Sequence, residues 1–339
     1  MPININVSKG IRQNTTEVTK IPVGTTAQRP ANPEAGMIRF NTDQGFVEWY
    51  DEATDVWVPV SESPAVIASG GTVTDITQGG KQYRVHTFTS SGTFEVVDGS
   101  GQVEYLIVAG GGGGGNNRGG GGGGGGVLIG STLLNPGSFP VIIGNGGSGA
   151  TTNAFTGERG GNSEFLTFVA IGGGGGGRGG SGPQGGPDEF DGGSGGGGLT
   201  FSSDFGLGTP GQGNDGGPGS DAEGDGSGGG GGGGAAGKGG VAQINSRAGD
   251  GGDGFVTTIS GSIIGYGAGG GGGTDSVNIA AGNPGTGGAG NGSDDLNDAK
   301  SGQPNRGDGG GGGGEDSSST IRNGGDGGSG VVILRYRIG

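Results

Sequence analysis

Apolar residues in this chain recur with the two-residue alternation of β-strands, and no stretch shows the spacing of an amphipathic helix. Near the N-terminus the pattern predicts three strands, at 37–41, 46–50 and 55–60. They carry both tryptophans of the chain, Trp49 and Trp57. We interpret this pair as the centre of a small hydrophobic core; a sugar-binding role for the pair is the alternative.

Residues 63–82 are dominated by Ser, Pro, Gly and Thr, which predicts a linker. Alternating segments then resume, and we expect those at 83–109, 127–143, 163–171 and 331–338 to form a β-sandwich. The last of these is the most apolar stretch of the C-terminal region and is predicted to complete the sandwich. The predicted organisation is therefore an N-terminal β-rich domain at 1–62, the linker, and a second domain at 83–339.

Nearly pure glycine runs follow or precede several predicted strands. They lie at 110–115, 119–126, 172–177, 228–234, 269–273 and 309–314. Glycine supplies 102 of the 339 residues, so a large apolar core is not available. Such runs are flexible linkers by default, because ordering glycine costs more backbone entropy than ordering any other residue.

One ordered structure suits contiguous glycine, namely the extended polyproline II-type helix with about three residues per turn. Several such rods can pair their backbone groups side by side, because glycine has no Cβ to keep them apart. Collagen would need glycine at every third position, which this sequence does not show. We therefore predict an all-β fold with packed polyglycine rods and no significant α-helix. The predicted loops, which would project from one end, are 149–160, 182–225, 241–260, 275–307 and 315–323.

Little in the chain points to catalysis. It has no cysteine and one histidine, His86, which lies inside a predicted strand and is interpreted as structural. No nucleophile elbow, zinc-binding or phosphate-loop motif occurs. The sequence therefore predicts no enzyme, no catalytic residue and no cofactor. Asp and Gly mix at 249–254 and 324–328 in a way that suggests calcium repeats, but the nine-residue phase is missing. We interpret these two segments as solvated turns, and we predict no metal site.

The net charge of −15 disfavours nucleic acid as a partner. The N-terminus lacks the basic region and apolar run of a signal peptide, and no stretch is apolar over the roughly 20 residues that span a bilayer. We therefore expect neither a secretory leader nor membrane insertion.

Two parts of the chain resemble proteins of tailed bacteriophages. Residues 24–30, 36–43 and 46–50 resemble a segment common in phage fibre and other virion structural proteins. Residues 86–94, 103–115 and 136–144 resemble the glycine-rich domain of phage tail-fibre proteins.

The resemblance implies a short tail fibre or fibre-tip adhesin on the exterior of the virion. The domain at 1–62 would dock on other virion proteins, and loops between glycine rods would contact a host surface glycan or outer-membrane protein. The predicted docking residues are Met37, Phe40, Phe46, Trp49, Tyr50 and Trp57. The predicted receptor-contact residues are Phe155, Phe190, Phe201, Phe205, Asn278 and Asn291. Trimers are the commonest fibre arrangement, which implies a homotrimer.

Other functions stay open at this point. The protein could decorate the capsid or neck passively, without a dedicated receptor. It could also depolymerise host polysaccharide, or form an ice- or mineral-binding bundle, although the irregular loops do not suggest the flat face of the latter.

Overall fold

The computed structural model describes residues 21–53, 55–60, 66–151, 156–179, 187–200, 204–220, 226–275, 279–294, 297–316 and 318–338. The chain divides into two compact units, Met1–Pro64 and Ala65–Gly339. Predictions that fall on the other residues lie outside the part that the structure describes.

The first unit contains one four-stranded sheet in the order β1-β2-β3-β4. Its strands are β1 (Val23–Gly24), β2 (Ile38–Asn41), β3 (Phe46–Asp51) and β4 (Val56–Pro59). β1 runs parallel to β2, and the other neighbours are antiparallel. A short 3-10 turn, Thr26–Gln28, follows β1. The three predicted strands of this region are confirmed.

A buried carboxylate occupies the interior of this unit. Glu48 is 0% exposed and binds Arg29 at 2.6 Å, while Nε of Arg39 lies 3.4 Å from its carboxylate. Asn41 also donates to it, at 3.2 Å. Burial alone raises the pKa of Glu48, but the hydrogen bonds from Arg29 and Asn41 and the charges of both arginines outweigh burial and lower the pKa below its ordinary value.

The predicted tryptophan core is therefore wrong. Trp49 is 36% exposed, and Trp57 is half-buried. The register pairs Trp57 with Tyr50, whereas Trp49 pairs with Val58. Because successive strand residues point to opposite faces, the two tryptophans lie on opposite sides of the sheet and cannot form one core.

The second unit contains two five-stranded antiparallel sheets. The first sheet has the order β10-β9-β16-β7-β6 and the second has the order β13-β12-β11-β8-β5. The strands are β5 (Ile67–Ser69), β6 (Thr72–Gln78), β7 (Lys81–Phe88), β8 (Gly92–Asp98), β9 (Gly101–Val108), β10 (Val127–Leu134), β11 (Gly137–Ile142), β12 (Ser163–Phe165), β13 (Phe168–Ala170) and β16 (Val331–Arg337). As predicted, the C-terminal strand completes the sandwich, and it does so between β9 and β7.

The predicted linker at 63–82 is wrong over most of its length, because β5 and β6 both lie within it. β6 pairs with β7 along its whole length, from Thr72 to Gln78. Its sequence alternates threonine with Val73, Asp75 and other residues, and threonine is β-branched and therefore favours strands. The composition of a linker and that of an exposed edge strand are hard to distinguish.

Apolar side chains fill two layers in this unit. Phe94, Phe165 and Leu334 are 0% exposed and belong to the layer between the two sheets. On the outer face of the first sheet, Leu106 and Ile333 pack under a small hairpin. That hairpin consists of β14 (Phe255–Thr257) and β15 (Ile264–Tyr266).

The single histidine is structural, as predicted. His86 is 0% exposed, and its Nδ1 lies 2.7 Å from the carbonyl oxygen of Gly70. Its Nε2 lies 3.2 Å from the hydroxyl of Tyr336, whose ring stacks against the imidazole. Burial lowers the pKa of His86. The ring is thus held neutral as part of the core.

The glycine runs form extended rods with a three-residue repeat. In the run that leaves β9, residues three apart donate to the same neighbouring run, and successive residues donate to different runs. The donors and acceptors are Gly110 to Gly161, Gly111 to Gly328, Gly112 to Gly123, Gly113 to Glu158, Gly114 to Gly325 and Gly115 to Gly120, all at 2.9–3.0 Å. A repeat of about three residues per turn is that of the polyproline II-type helix. The predicted packed rods are therefore confirmed.

The bundle extends well beyond the pure glycine runs. Residues 192–200, 213–220, 248–254 and 279–293 also lie in mostly buried or half-buried segments that pair with the rods. The prediction that 182–225, 241–260 and 275–307 are projecting loops is therefore wrong for these parts of the three ranges. Only a position that faces another backbone needs glycine, so a run at the bundle surface can carry Asn, Asp or Pro on its outward side. Among the described residues there is one short α-helix, Pro187–Phe190.

A buried acid lies where the rods meet the sandwich. Asp308 is 0% exposed, and its Oδ1 accepts the N–H of Ala268 at 3.0 Å. Its Oδ2 makes no hydrogen bond to the part of the chain that the structure describes. Burial raises the pKa of Asp308 to about 7, against the opposing effects of that hydrogen bond and of the Arg306 charge. The native fold therefore favours the protonated acid.

Packing of the rods predicts that one added methyl group inside the bundle is strongly destabilising. A Cβ on Gly122 would lie 2.1 Å from the carbonyl oxygen of Gly112, which is itself backbone and cannot rotate away. We expect Gly122→Ala to lower the free energy of unfolding by at least about 3 kcal/mol in chemical denaturation. The control is Gly92→Ala in β8, where the nearest atom would be 3.7 Å away and a change within about 0.5 kcal/mol is expected. Equal stabilities of the two variants would contradict rod packing.

The buried acid predicts a loss of stability as the pH rises. Because the pKa of Asp308 is about 7 in the fold against an ordinary 3.8, the stabilising proton is fully present below about pH 4 and is lost as the pH passes 7. Asp308→Asn removes this titration. We expect the variant to be more stable than the wild type at pH 8, by at most about 4 kcal/mol, and the difference to disappear near pH 4. Chemical denaturation of both proteins at the two pH values measures this difference in stability. A difference that does not change with pH would contradict the raised pKa of Asp308.

Candidate binding surface at the far end of the glycine bundle

The rods turn back at an end of the bundle that lies away from the sheets. The run 109–115 leaves β9, and the run 119–126 returns to β10. The two are antiparallel, since Gly112 donates to Gly123 and Gly115 donates to Gly120. The turn at 116–118 therefore lies one rod length beyond the sandwich, roughly 19 Å for six residues.

The backbone in this turn is left-handed at two non-glycine residues, Asn117 with φ 54° and Arg118 with φ 62°. Asparagine is among the residues that tolerate this region best. Asn116, in the same turn, donates from Nδ2 to the carbonyl oxygen of Thr151, where the run 144–151 ends. The two runs therefore end side by side.

Arg118 connects several turns at this end. Its Nη1 lies 3.4 Å from Ser227 Oγ and 3.4 Å from a carboxylate oxygen of Asp275, and its Nε lies 3.4 Å from Glu315. Asp275 also accepts the N–H groups of Gly226 and Ser227, at 3.1 and 3.2 Å. One arginine thus holds together the ends of runs that are far apart in sequence.

Neighbouring turns are closed by their own polar groups. Asp316 accepts the N–H groups of Ser318 and Thr320, and the bond from Thr320 contributes most to lowering its pKa. Arg322 forms an ion pair with Asp298. Asn245, with φ 54°, donates from its backbone to Gly226 at 3.0 Å. Turns fixed in this way present a preorganised, mostly polar surface.

The segments that suggested calcium have a different role. Asp250 accepts the backbone N–H of Asn283, and Asp253 accepts both the N–H and the hydroxyl of Thr286. Asp326 accepts the N–H of Gly149. Their carboxylates pair with backbone at the bundle surface, so the interpretation of 249–254 and 324–328 as solvated turns is wrong. The signal that sequence reasoning missed is aspartate placed between glycines inside a run.

A comparison of the sequence with models of known protein families identifies the family of this chain. Residues 87–337 match the model of a family described as a glycine-rich domain. The chain belongs to the glycine-rich domain family. The matched region of this glycine-rich domain begins within β7 and ends within β16, and it therefore includes the rods and most of the sandwich. Among curated proteins, none matches the chain.

The structure places only some of the predicted receptor-contact residues at an accessible position in the glycine-rich domain. Asn291 is exposed and Phe205 is half-buried. Phe190 is 2% exposed, so its ring packs inside the domain and is not available to a receptor. Phe155, Phe201 and Asn278 lie outside the described residues.

Exposed apolar side chains at this end were not among the predictions. Val241 is 58% exposed and Ile244 is 53% exposed, and both lie in or beside the turn at 243–247. No periodic pattern marks them, because they interrupt a glycine-rich run as single residues. The one feature of the sequence that marks Val241 and Ile244 is their position between two glycine-rich runs.

The predicted docking residues divide between the two faces of the N-terminal sheet. Phe40 and Trp49 share one face, whereas Phe46, Tyr50 and Trp57 lie on the opposite face, on the side of Glu48. The first face is apolar and open to solvent. The members of this apolar face are Ile38, Phe40, Val47, Trp49, Val56 and Val58, with the half-buried Asp51 beside Val56; Ile38, Trp49 and Val56 are 36%, 36% and 49% exposed.

Met37 directly precedes β2, and its carbonyl oxygen accepts the N–H of Tyr50 at 2.9 Å. With Arg39 and Trp57 it lines a cavity of about 330 Å³ in the first unit. The guanidinium carbon of Arg39 lies 5.9 Å from the centre of the Trp57 ring, within the range of a cation–π contact.

Within the described ranges, no group of three or more metal-binding side chains converges. The same part of the chain holds no helix of the length and apolarity that crossing a membrane requires.

Proposed function

We propose that this protein is a structural component of a phage virion, a short tail fibre or fibre-tip adhesin on the exterior of the particle. In this proposal the N-terminal unit docks on other virion proteins. The far end of the glycine-rich bundle contacts the host surface, either a glycan or an outer-membrane protein.

The observation that carries the proposal is the apolar face of the N-terminal sheet. A small unit that leaves Ile38, Trp49 and Val56 exposed on one face has the kind of patch that marks protein–protein contacts. Its interior is instead occupied by the ion pairs of Glu48, so the apolar side chains are not needed for its own core.

The far end of the bundle supports the second part of the proposal. A rigid scaffold that gathers many turns at one end resembles other binding folds, in which loops vary on a fixed frame. Rods hold the turns in place through backbone hydrogen bonds, so changes of side chain at the turns leave the scaffold intact.

The runner-up is a passive decoration of the capsid or neck without a dedicated receptor. It shares the docking face and differs only in that the far end has no ligand. The polysaccharide depolymerase stays a third candidate, and release of oligosaccharide from host envelope sugars by the purified protein would support it.

Docking predicts that residues 1–62 are needed for incorporation into particles. We expect deletion of 1–62 to remove the protein from purified virions, measured by mass spectrometry, while the remaining chain unfolds at its normal temperature. Ile38→Lys with Trp49→Lys should have the same effect on incorporation, because it places charge on the apolar face. The control is Gln44→Lys, at an exposed residue in the turn between β2 and β3. Normal incorporation of the deletion variant would contradict the docking role.

Host contact predicts that the far end sets adsorption. We expect Val241→Asp with Ile244→Asp to slow adsorption of virions to host cells at least about tenfold, since a charge buried without a partner at an interface is strongly unfavourable. Val256→Asp is the matched control, at a residue that is 56% exposed in the hairpin beside the sandwich. If both variants adsorb like the wild type, the passive decoration is favoured.

A further inference from the structure

The first sheet of the sandwich ends in an exposed strand that lacks the usual protection of a sheet edge. β10 lies at the edge of that sheet and pairs only with β9. It is eight residues long, and Ile129 and Leu133 are 52% and 40% exposed. A long apolar edge presents backbone groups to any other strand, so natural proteins cover or charge it.

The backbone groups that point outward can be identified from the register. Ala109 donates to the carbonyl oxygen of Gly126, and the same register pairs β9 with β10. Hydrogen-bonded pairs alternate along antiparallel strands, so the N–H and C=O groups of Ile129, Ser131 and Leu133 point away from β9. Val127, which has the same orientation, donates to Gln212 at 3.0 Å. The backbone groups of Ile129, Ser131 and Leu133 form no hydrogen bond to other backbone in the part of the chain that the structure describes.

The other edges of the sandwich are protected. β5 and β13 are only three residues long. β6 carries Asp75, which forms an ion pair with Arg84 at 2.8 Å. Short strands and charged residues are the ordinary means of preventing edge-to-edge pairing.

β10 has neither protection. No charged residue occurs between positions 119 and 157, although the chain carries a net charge of −15. It is therefore an extended edge on which two copies of an acidic chain can meet without placing like charges together.

We propose that β10 pairs with β10 of a second copy of this chain. An antiparallel pair centred on Ser131 places Ile129 of each copy beside Leu133 of the other, so the strand is complementary to itself. All three outward-pointing residues then form hydrogen-bonded pairs, with about six backbone hydrogen bonds in total. The two five-stranded sheets become one continuous sheet.

The apolar row on the outer face continues beyond the strand itself. Ile129 lines a cavity of about 360 Å³ together with Val127 and Phe255. In the pair, Leu133 of the second copy lies next to Ile129 on this face and extends the apolar contact. The symmetry is two-fold, because each copy uses the same edge, in place of the trimer that the resemblance to fibres implies.

The first test is the mass of the full-length chain in solution, by light scattering over a concentration series. We expect the wild type at twice the mass of one chain, and Ile129→Lys with Leu133→Lys at the mass of one chain. Val97→Lys is the control, at a residue that is 61% exposed in β8, a strand with partners on both sides. A monomeric or trimeric wild type, or lysine variants that stay dimeric, would overturn the proposal. A monomer would also favour a strand from another protein as the occupant of the edge.

The second test does not depend on the stability of the lysine variants. The chain contains no cysteine, so Ser131→Cys introduces its only thiol. Across the two-fold axis the Cα atoms of this position would lie about 5.5 Å apart, within the disulfide range. We expect oxidation to convert most of the variant into a covalent dimer on a denaturing gel, while Val97→Cys stays monomeric. Failure of Ser131→Cys to cross-link, or equal cross-linking of the two variants, would overturn the proposal.

Discussion

Direct pairing of backbone with backbone, with no side chain between, is the interaction on which the bundle depends. Each rod satisfies its N–H and C=O groups only through the rods around it, because a polyproline II-type helix has no internal hydrogen bonds. The bonds within the bundle are close to 2.9 Å, and a Cβ at most of these glycines would lie near 2 Å from a carbonyl oxygen. Glycine's large entropy cost is therefore offset collectively, and a single rod has no reason to be ordered alone.

The sandwich supplies the alignment that glycine cannot. A run without side chains has nothing to fix its position along its neighbours. The β9–β10 register continues without a break into the bond from Ala109 to Gly126, where the rods begin. Sheet pairing thus determines where the first rods start, and Arg118 and its carboxylate partners fix several of them at the other end. The rods are held at both ends by ordinary side-chain chemistry.

Much of this architecture could be predicted from the sequence, and the failures have physical reasons. Strand alternation and contiguous glycine predicted the sandwich and the pure rods. Runs such as 213–219 were missed because only the positions that face another rod must be glycine. The glycine content of such a run is therefore lower than that of a pure glycine rod. The interior of the N-terminal unit was missed because hydrophobicity marks tryptophan as core, whereas Glu48 is buried by its two arginines. No signal in the sequence separated Phe190, which is buried, from an exposed contact residue.

The central position of β16 has a consequence for how the chain folds. Arg335 pairs with Glu104 across 231 residues of sequence, and β9 cannot gain its second neighbour until residues 331–337 are available. Pairing over such distances is slow, because a long loop must close before the contacts form. During synthesis the apolar edges of β7 and β9 stay open while the glycine-rich chain between β9 and β16 emerges. Folding of this unit is thus a late event, and its half-made sheet is the species most exposed to aggregation.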